Sequence, residues 1–164
     1  MKEPKIHHIR CSLHSYTFNV KAIKEWVESN CGDNVLNLYA GYNKLNVPNE
    51  VRNDLDPDAP VDYHLDALEF LNLWIGDKFD TIVLDPPYAE RKSMEYYGGR
   101  KASPFQMVKE SLKTVLKPKG NVVTLGYHSV VMGKKHNFNV ESIALFSHGG
   151  AIHDTIGTSE RWLE

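Results

Sequence analysis

The sequence has little cysteine, no long apolar run and no strong net charge. Its 164 residues contain two cysteines, Cys11 and Cys31, too few for the disulfide framework of a secreted domain and compatible with a reducing cytoplasm. The most apolar runs, residues 35–40 and 81–84, are much shorter than the ~20 residues that cross a bilayer. The N-terminus also lacks the apolar core of a signal peptide. We therefore expect a cytoplasmic protein that does not associate with a membrane.

Motifs of several enzyme classes are also missing. There is no Gly-x-x-x-x-Gly-Lys phosphate loop, which argues against nucleotide hydrolysis, and no Gly-x-Ser-x-Gly nucleophile motif. The eight histidines include no His-Glu-x-x-His pair, and the cysteines form no Cys-x-x-Cys pair. We therefore expect no metal cofactor.

The small net charge of −2 conceals an uneven distribution. Residues 1–88 contain 8 Lys and Arg against 14 Asp and Glu, whereas residues 89–136 contain 10 against 3. A basic segment inside an acidic chain is a candidate docking surface for a polyanion. The alternative is a solvated loop and helix that are simply rich in lysine.

Apolar positions change period along the chain in the manner of alternating strands and helices. Strands are predicted at residues 35–40, 50–54, 79–84 and 121–126, with a short extended piece at 61–64. Helices are predicted from Asn19, a candidate N-cap, to a stop at Cys31-Gly32, then at 66–74 and 104–116. Residues 140–146 and 152–158 flank a Gly-Gly turn and are typical of an antiparallel pair.

This order predicts one α/β domain over residues 1–164, with an N-terminal extension and helix at 1–33 and the core at 34–164. The expected sheet is doubly wound and mostly parallel, with helices on both faces and a C-terminal antiparallel hairpin. Ligands of such sheets bind beyond the carboxyl ends of the strands. That rule points to the residues after Tyr39, Asp54, Leu84 and Leu125.

The sharpest motif is Asp85-Pro86-Pro87-Tyr88, directly after a predicted buried strand. The two prolines fix two φ angles and remove two N–H donors. What remains is acceptor-rich, because it consists of the Asp85 carboxylate and the carbonyl groups around Pro86, with an aromatic face beside them. Such a pocket suits a planar group with N–H donors, for example a nucleobase that carries an exocyclic amine. The alternative is a rigid turn in which Asp85 caps nearby amides.

This motif resembles the signature of the amino-methyltransferases, which transfer a methyl group from S-adenosylmethionine to adenine N6 or cytosine N4 in nucleic acids. The resemblance spans residues 34–158 and implies a Rossmann-like class I methyltransferase fold. It also implies that the catalytic residues are Asp85, Pro86, Pro87 and Tyr88. In that family, the residues at the positions of Asp85 and Pro86 accept hydrogen bonds from the target amine, and the residue at the position of Tyr88 stacks on the base. Such acceptors favour the pyramidal nitrogen of the transition state.

The family's glycine-rich cofactor turn corresponds here to Tyr39-Ala40-Gly41-Tyr42-Asn43, in which Asn43 replaces the second glycine. An acidic residue after the second strand is expected to hold the ribose hydroxyls, and Asp54 is preferred over Asp56. The alternatives are an ordinary turn at Gly41 and an Asp/Pro turn at Asp54. The complete set of expected cofactor-binding residues is Asn37, Tyr39, Ala40, Gly41, Asp54, Leu55, Asp66, Ala67 and Asp85. Asp66 is equally well explained as a helix N-cap.

The loop at residues 89–103 is the expected substrate-contact region, because its basic side chains can meet phosphates and its tyrosines can stack on bases. Tyr127 follows another strand end and is a candidate wall of the target pocket, or simply a packed tyrosine. Lys134 and Lys135 are expected to extend the same basic face. The expected substrate-binding residues are Arg91, Lys92, Tyr96, Tyr97, Arg100, Lys101, Tyr127, Lys134 and Lys135.

The chain offers little room for a target-recognition domain, since 43 residues separate Gly41 from Asp85. We therefore expect a structured RNA, such as ribosomal RNA or the ribosome, as the partner in preference to DNA, because unstacked bases are already exposed there. A homodimer or a recognition subunit is another source of target recognition. The competing interpretations are a DNA adenine-N6 methyltransferase and a non-catalytic subunit that binds cofactor or nucleic acid.

Overall fold

A single sheet of seven strands organises the protein, whose computed structural model describes residues 3–87, 101–150 and 153–164. The strands are β1 (Lys5–Arg10), β2 (Asn34–Asn37), β3 (Asn49–Arg52), β4 (Phe79–Leu84), β5 (Leu116–Gly126), β6 (Phe138–Ser147) and β7 (Thr155–Trp162). The helices are α1 (Lys21–Ser29), α2 (Ala67–Leu73) and α3 (Phe105–Ser111). Short 3-10 turns lie at Thr17–Asn19, Leu112–Thr114 and Lys134–His136.

The strand order is β1-β6-β7-β5-β4-β2-β3. All neighbouring strands are parallel except β7, which runs antiparallel to both β5 and β6. This arrangement confirms the predicted Rossmann-like α/β fold with a C-terminal antiparallel hairpin. It also brings the carboxyl ends of β2, β3, β4 and β5 to one edge of the sheet.

The sheet is covered on both faces, as its buried strands require. Ile23, Trp26 and Val27 of α1 pack on one face, together with Val35 and Val83. The other face packs against α2 and α3 and contains the alternate strand residues, among them Leu36, Ile82 and Leu84. This alternation gives β2 and β4 their continuous apolar character, since both faces are buried.

Two predicted helix boundaries were wrong. Val20, not Asn19, is the N-cap of α1, and Asn19 instead closes the preceding 3-10 turn. The third helix ends at Ser111 rather than Leu116, because Leu116 already pairs with Phe79 in the β5–β4 ladder. The C-terminal strand also starts later than predicted, at Thr155, and continues to Trp162.

β1 was not predicted. It pairs in parallel with β6 over six residues, from Lys5 opposite Ser142 to Arg10 opposite Ser147. Its side chains are almost all exposed, so backbone pairing rather than apolar burial holds this strand and the sequence carried no alternation signal. The extended piece at 61–64 contributes only an isolated bridge between Asn53 and Tyr63.

Candidate functional site

The turn after β2 is fastened to the end of β3. The backbone N–H of Gly41 donates to the carboxylate of Asp54 at 2.8 Å, and the N–H of Asp56 donates to the other oxygen of that carboxylate at 2.9 Å. Gly41 has a φ of +55°, which favours glycine, and among the described residues no atom beyond its two chain neighbours lies within 4 Å of the position that a Cβ would occupy. The backbone at Gly41 therefore borders open space into which a ligand can approach.

Two buried residues that sequence reasoning missed hold this turn in place. The side-chain amide of Asn53 donates to the carbonyls of Leu38 and Leu65, and its oxygen accepts the N–H of Leu65 at 3.1 Å. The guanidinium of Arg52 donates to the carbonyls of Gly41 and Pro60. Their only sequence signal is a polar pair directly before Asp54 at a strand end.

Gly41, Asp54 and Tyr39 form a corner of the sheet edge in which the pKa values of ionisable side chains are raised. Burial raises the pKa of Asp54, and the N–H donors of Asp56 and Gly41 offset part of that effect. Burial also raises the pKa of Tyr39, and the nearby carboxylates of Asp66 and Asp54 add to the rise. The Tyr39 phenol therefore stays protonated beside two acidic groups, in a corner suited to a ligand with hydroxyl and amine donors.

Asp66 is the N-cap of α2, as one of the two interpretations predicted. Its carboxylate accepts the N–H of Leu68 at 3.0 Å, and it also accepts hydrogen bonds from the N–H and hydroxyl of Ser103 at 2.7 and 2.6 Å. Asp66 thus joins α2 to the segment that leads into α3. Ala67, behind it, is buried in the core, and Leu55 is buried next to Asp54. A cofactor contact of Asp66, Ala67 or Leu55 stays a prediction.

Asn37, the last residue of β2, is turned toward a different partner. Its side-chain amide donates to the carboxylate of Glu50 at 3.1 Å, and Glu50 also accepts the N–H of Leu45. Burial raises the pKa of Glu50. The structure therefore gives Asn37 a role in joining β2 to β3, and its cofactor contact stays a prediction.

The Asp-Pro-Pro segment lies at the centre of the same edge. Asp85, Pro86 and Pro87 follow β4 directly and are half-exposed, and β4 lies between β2 and β5. The segment is therefore flanked by the turn at Gly41 on one side and by Tyr127, after β5, on the other. Tyr88 lies outside the described residues, as do Arg91, Lys92, Tyr96, Tyr97 and Arg100; Lys101 is described and exposed.

A cavity of about 500 Å³ lies at this edge, beyond β5 and β7. Tyr127 forms part of its wall, with its ring centroid 5.2 Å from that of His153. His148 is fixed by contacts of 2.8 Å to the Thr155 hydroxyl and 3.0 Å to the Ser12 carbonyl. The cavity therefore offers aromatic and imidazole surfaces at the carboxyl edge of the sheet, on the β5 side of the Asp-Pro-Pro segment.

The segment at residues 13–19 packs over the glycine turn, a contact that the sequence did not reveal. The rings of Tyr16 and Tyr42 lie 5.5 Å apart, and the amide of Asn43 donates to Asn19 at 2.7 Å. The Tyr42 hydroxyl donates to Asp56 at 2.9 Å, and this hydrogen bond raises the pKa of Tyr42 to about 12. The segment thereby closes one side of the site.

Lys134 and Lys135 lie away from the edge that carries Asp85, and their predicted contact with the substrate stays a prediction. They precede β6, whose first residue, Phe138, pairs with Trp162 at the end of β7. They therefore lie at the amino edge of the sheet, opposite Asp85. Between residues 127 and 137 the chain returns from the carboxyl edge to the amino edge of the sheet. These lysines therefore follow β5 in the sequence without lying beside its carboxyl end.

Within residues 3–87, 101–150 and 153–164, no group of three or more His, Cys, Asp or Glu side chains is placed to hold a metal ion. No helix in the same ranges is both long and apolar enough to cross a membrane.

Comparison with solved structures identifies the fold. The chain resembles TrmN from Thermus thermophilus, with a TM-score of 0.58 and 13% identity, covering 88% of this chain and 49% of that one. It resembles a SAM-dependent methyltransferase from Agrobacterium tumefaciens (TM-score 0.55, 16% identity, 88% of this chain, 62% of that one). It also resembles an rRNA methylase from Streptococcus thermophilus, with a TM-score of 0.52 and 11% identity, covering 93% of this chain and 100% of that one.

These similarities show that the chain has the Rossmann-like fold of the methyltransferases. It spans about half the length of the Thermus protein and 62% of the Agrobacterium protein. No protein-family model matches the chain, and no curated protein matches its sequence.

Proposed function

We propose that the protein transfers a methyl group from S-adenosylmethionine to an exocyclic amino nitrogen of a nucleobase. The observation that carries this proposal is the position of Asp85-Pro86-Pro87 directly after β4, between the open turn at Gly41 and the cavity beside Tyr127. Acceptors for an amine and a corner for a donor-rich cofactor are thus adjacent on one edge.

The described residues fit this cofactor. The open space at Gly41 admits close approach to the backbone, and the buried Asp54 carboxylate offers acceptors to ribose hydroxyls. Asp66 lies close to Tyr39 and is the proposed acceptor for an adenine amine. The bound cofactor supplies an electrophilic methyl group.

The proposed role of Asp85 and Pro86 is to grip the hydrogens of the target amine. The lone pair of an exocyclic amine is delocalised into the base, so this nitrogen is a poor nucleophile until it becomes pyramidal. The Asp85 carboxylate and the Pro86 carbonyl bind its N–H groups more strongly in that geometry, which is selective stabilisation of the transition state.

We favour a structured RNA, in the cytoplasm, as the substrate. The unstacked bases of a folded RNA are already exposed, and one similar structure is called an rRNA methylase. Adenine N6 and cytosine N4 present the same donors to Asp85 and Pro86, and DNA stays the alternative substrate. In either case a second copy or a separate subunit is the proposed source of target selection.

The test is to incubate the protein with isotope-labelled S-adenosylmethionine and total RNA, intact ribosomes or genomic DNA, and then identify the labelled nucleoside by mass spectrometry. Label in N4-methylated cytidine or N6-methylated adenosine from RNA supports the proposal and names the base. Label only in deoxynucleosides supports the DNA alternative. No label above that of an Asp85→Ala sample, despite binding of S-adenosylhomocysteine, supports a non-catalytic cofactor-binding subunit.

A further inference from the structure

A group of basic residues lies around α3, on the face of the sheet opposite α1. Lys109 and Lys113 extend from α3 and the 3-10 turn that follows it, and Lys134 and Lys135 lie on the 3-10 turn before β6. Three of these lysines lie close to His136: burial lowers the pKa of His136, and the positive charges of Lys109, Lys135 and Lys113 lower it further. We call Lys109, Lys113, Lys134 and Lys135 the lysine surface.

Two of these lysines are held in place by neighbouring groups. The ammonium of Lys113 lies 5.1 Å from the ring centroid of Trp162 and 5.9 Å from that of Phe138. The ammonium of Lys109 lies 5.7 Å from the Phe105 ring and donates to the carbonyl of Val131 at 3.3 Å. Such contacts restrict the side chains without neutralising their charge.

Acidic residues offset only part of this charge. The carboxylate of Glu110 lies near His136 and opposes the effect of the lysines on the His136 pKa. The same carboxylate accepts a hydrogen bond from the side-chain amide of Gln106. A second carboxylate, that of Glu164, accepts a hydrogen bond of 2.9 Å from the side-chain amide of Asn137, the residue that follows the 3-10 turn before β6. On α1, by contrast, Lys21 and Lys24 pair with Glu25 and Glu28 one turn away. Among the described residues, the four lysines of the lysine surface outnumber Glu110 and Glu164, and the surface therefore has a net positive charge.

α3 links the candidate site to the lysine surface. α3 begins two residues after Ser103, which contacts Asp66 at the carboxyl edge, and Val115 beyond it pairs with Phe79 at the amino edge. Seven α-helical and three 3-10 residues span about 16 Å. That distance corresponds to about five phosphates along one strand of a duplex.

We infer that the lysine surface binds the phosphate backbone of a nucleic acid whose target base reaches Asp85 at the opposite edge. This inference rests on the proposed function and makes its substrate more specific. A substrate that meets both edges must extend well beyond the target nucleotide, as a folded RNA does and a short oligonucleotide does not. Contact with phosphate fixes the position of the RNA and leaves the choice of base to the site.

The test compares two double variants. Lys134→Ala with Lys135→Ala removes two charges from the lysine surface, and Lys21→Ala with Lys24→Ala removes two from α1 on the other face. Binding of a fluorescent RNA hairpin with a stem of about 20 base pairs is measured over a series of salt concentrations without cofactor. Circular dichroism establishes that both variants are folded.

We expect the first variant to bind more weakly and its logarithmic salt dependence to be shallower by about 2, with the α1 variant close to wild type. Lys113→Ala should reduce the slope by about 1. Equal slopes for wild type and both double variants would overturn the inference. Because binding is measured without methyl transfer, RNA binding without turnover counts against the proposed function alone, and turnover with an unchanged slope counts against the lysine surface alone.

Discussion

The backbone N–H of Gly41 and the carboxylate of Asp54 form a hydrogen bond of 2.8 Å that joins the turns after two neighbouring strands. β2 and β3 are adjacent and parallel, so their carboxyl ends are fixed side by side. The bond sets the direction of the Gly41 backbone, and the second oxygen of Asp54 is held by Asp56. Hydrogen bonds between protein groups therefore preorganise the proposed cofactor-binding corner.

Replacement of Gly41 by alanine should cost stability and, separately, cofactor binding. At a φ of +55° an L residue is strained, and we expect a loss of about 1 kcal/mol in the free energy of unfolding. The new methyl group would also fill the space beside the turn. Gly149→Ala is the matched control, because Gly149 has a φ of +49° and equally open surroundings. Both variants should lose stability, and Gly41→Ala alone should lose affinity for S-adenosylhomocysteine in calorimetric titration; equal affinities would contradict the proposed corner.

Asp54→Asn should weaken S-adenosylhomocysteine binding by about 10- to 100-fold, because hydrogen bonds to a charged acceptor are stronger than those to an amide. The amide nitrogen would also oppose one of the two N–H groups that Asp54 now accepts. Asp58→Asn, on an exposed residue of the following turn, is the control and should bind as wild type. If the two variants bind equally well, Asp54 does not hold the ribose.

The affinity for S-adenosylhomocysteine should also depend on pH through Asp54. Burial raises the pKa of this carboxyl, so its protonation begins at a higher pH than for an ordinary aspartate. Since the folded state binds this proton more tightly than the unfolded state, protonation favours the fold but removes the acceptor. Affinity should therefore fall as the pH is lowered from about 7 toward 4, and the fall should be absent in Asp54→Asn. Parallel pH profiles would exclude Asp54 as the titrating group.

Residues that act through chain neighbours were predictable from the sequence, and those that act through distant contacts were not. The apolar runs at 35–40 and 79–84 are signals of strands buried on both faces, and the carboxyl-edge rule then placed Gly41, Asp54 and Asp85 together. Asn19 was assigned as a helix cap, but it binds Asn43, 24 residues away. No local pattern records that contact.

β1 and the lysines before β6 show the same limit. β1 is exposed and depends on pairing with β6, about 137 residues later in the chain, so its side chains carry no periodic signal. Lys134 and Lys135 lie at the amino edge, and the sequence could not show this, because distance along the chain from β5 does not reveal that the chain crosses the sheet before β6. Topology, rather than residue type, decides both positions.

Asp85→Ala should lower methyl transfer far more than it lowers cofactor affinity. The proposed role of Asp85 is to accept a hydrogen bond from the target amine, and removal of one preorganised hydrogen-bonding group that stabilises a transition state typically costs about 100- to 1,000-fold in turnover. The measurement is single-turnover labelling of RNA alongside titration with S-adenosylhomocysteine. Loss of cofactor binding in this variant would show instead that the pocket for the amine lies elsewhere.

Glu160→Ala should destabilise the fold far more than Glu141→Ala. Glu160 is fully buried in β7, and its carboxylate accepts the N–H groups of Val131, Met132 and Gly133 at 2.8 to 3.0 Å. Its removal leaves three donors unpaired in or near the core, and we expect a loss of about 3 kcal/mol in the free energy of unfolding.

Glu141, on the neighbouring strand β6, pairs with Arg161 at the surface and should cost less than about 1 kcal/mol. Urea denaturation of both variants makes the comparison. Similar losses would mean that the segment at residues 131–133 finds other acceptors. A large loss confined to Glu160 would show that one buried carboxylate holds the return crossing that carries Lys134 and Lys135 to the amino edge.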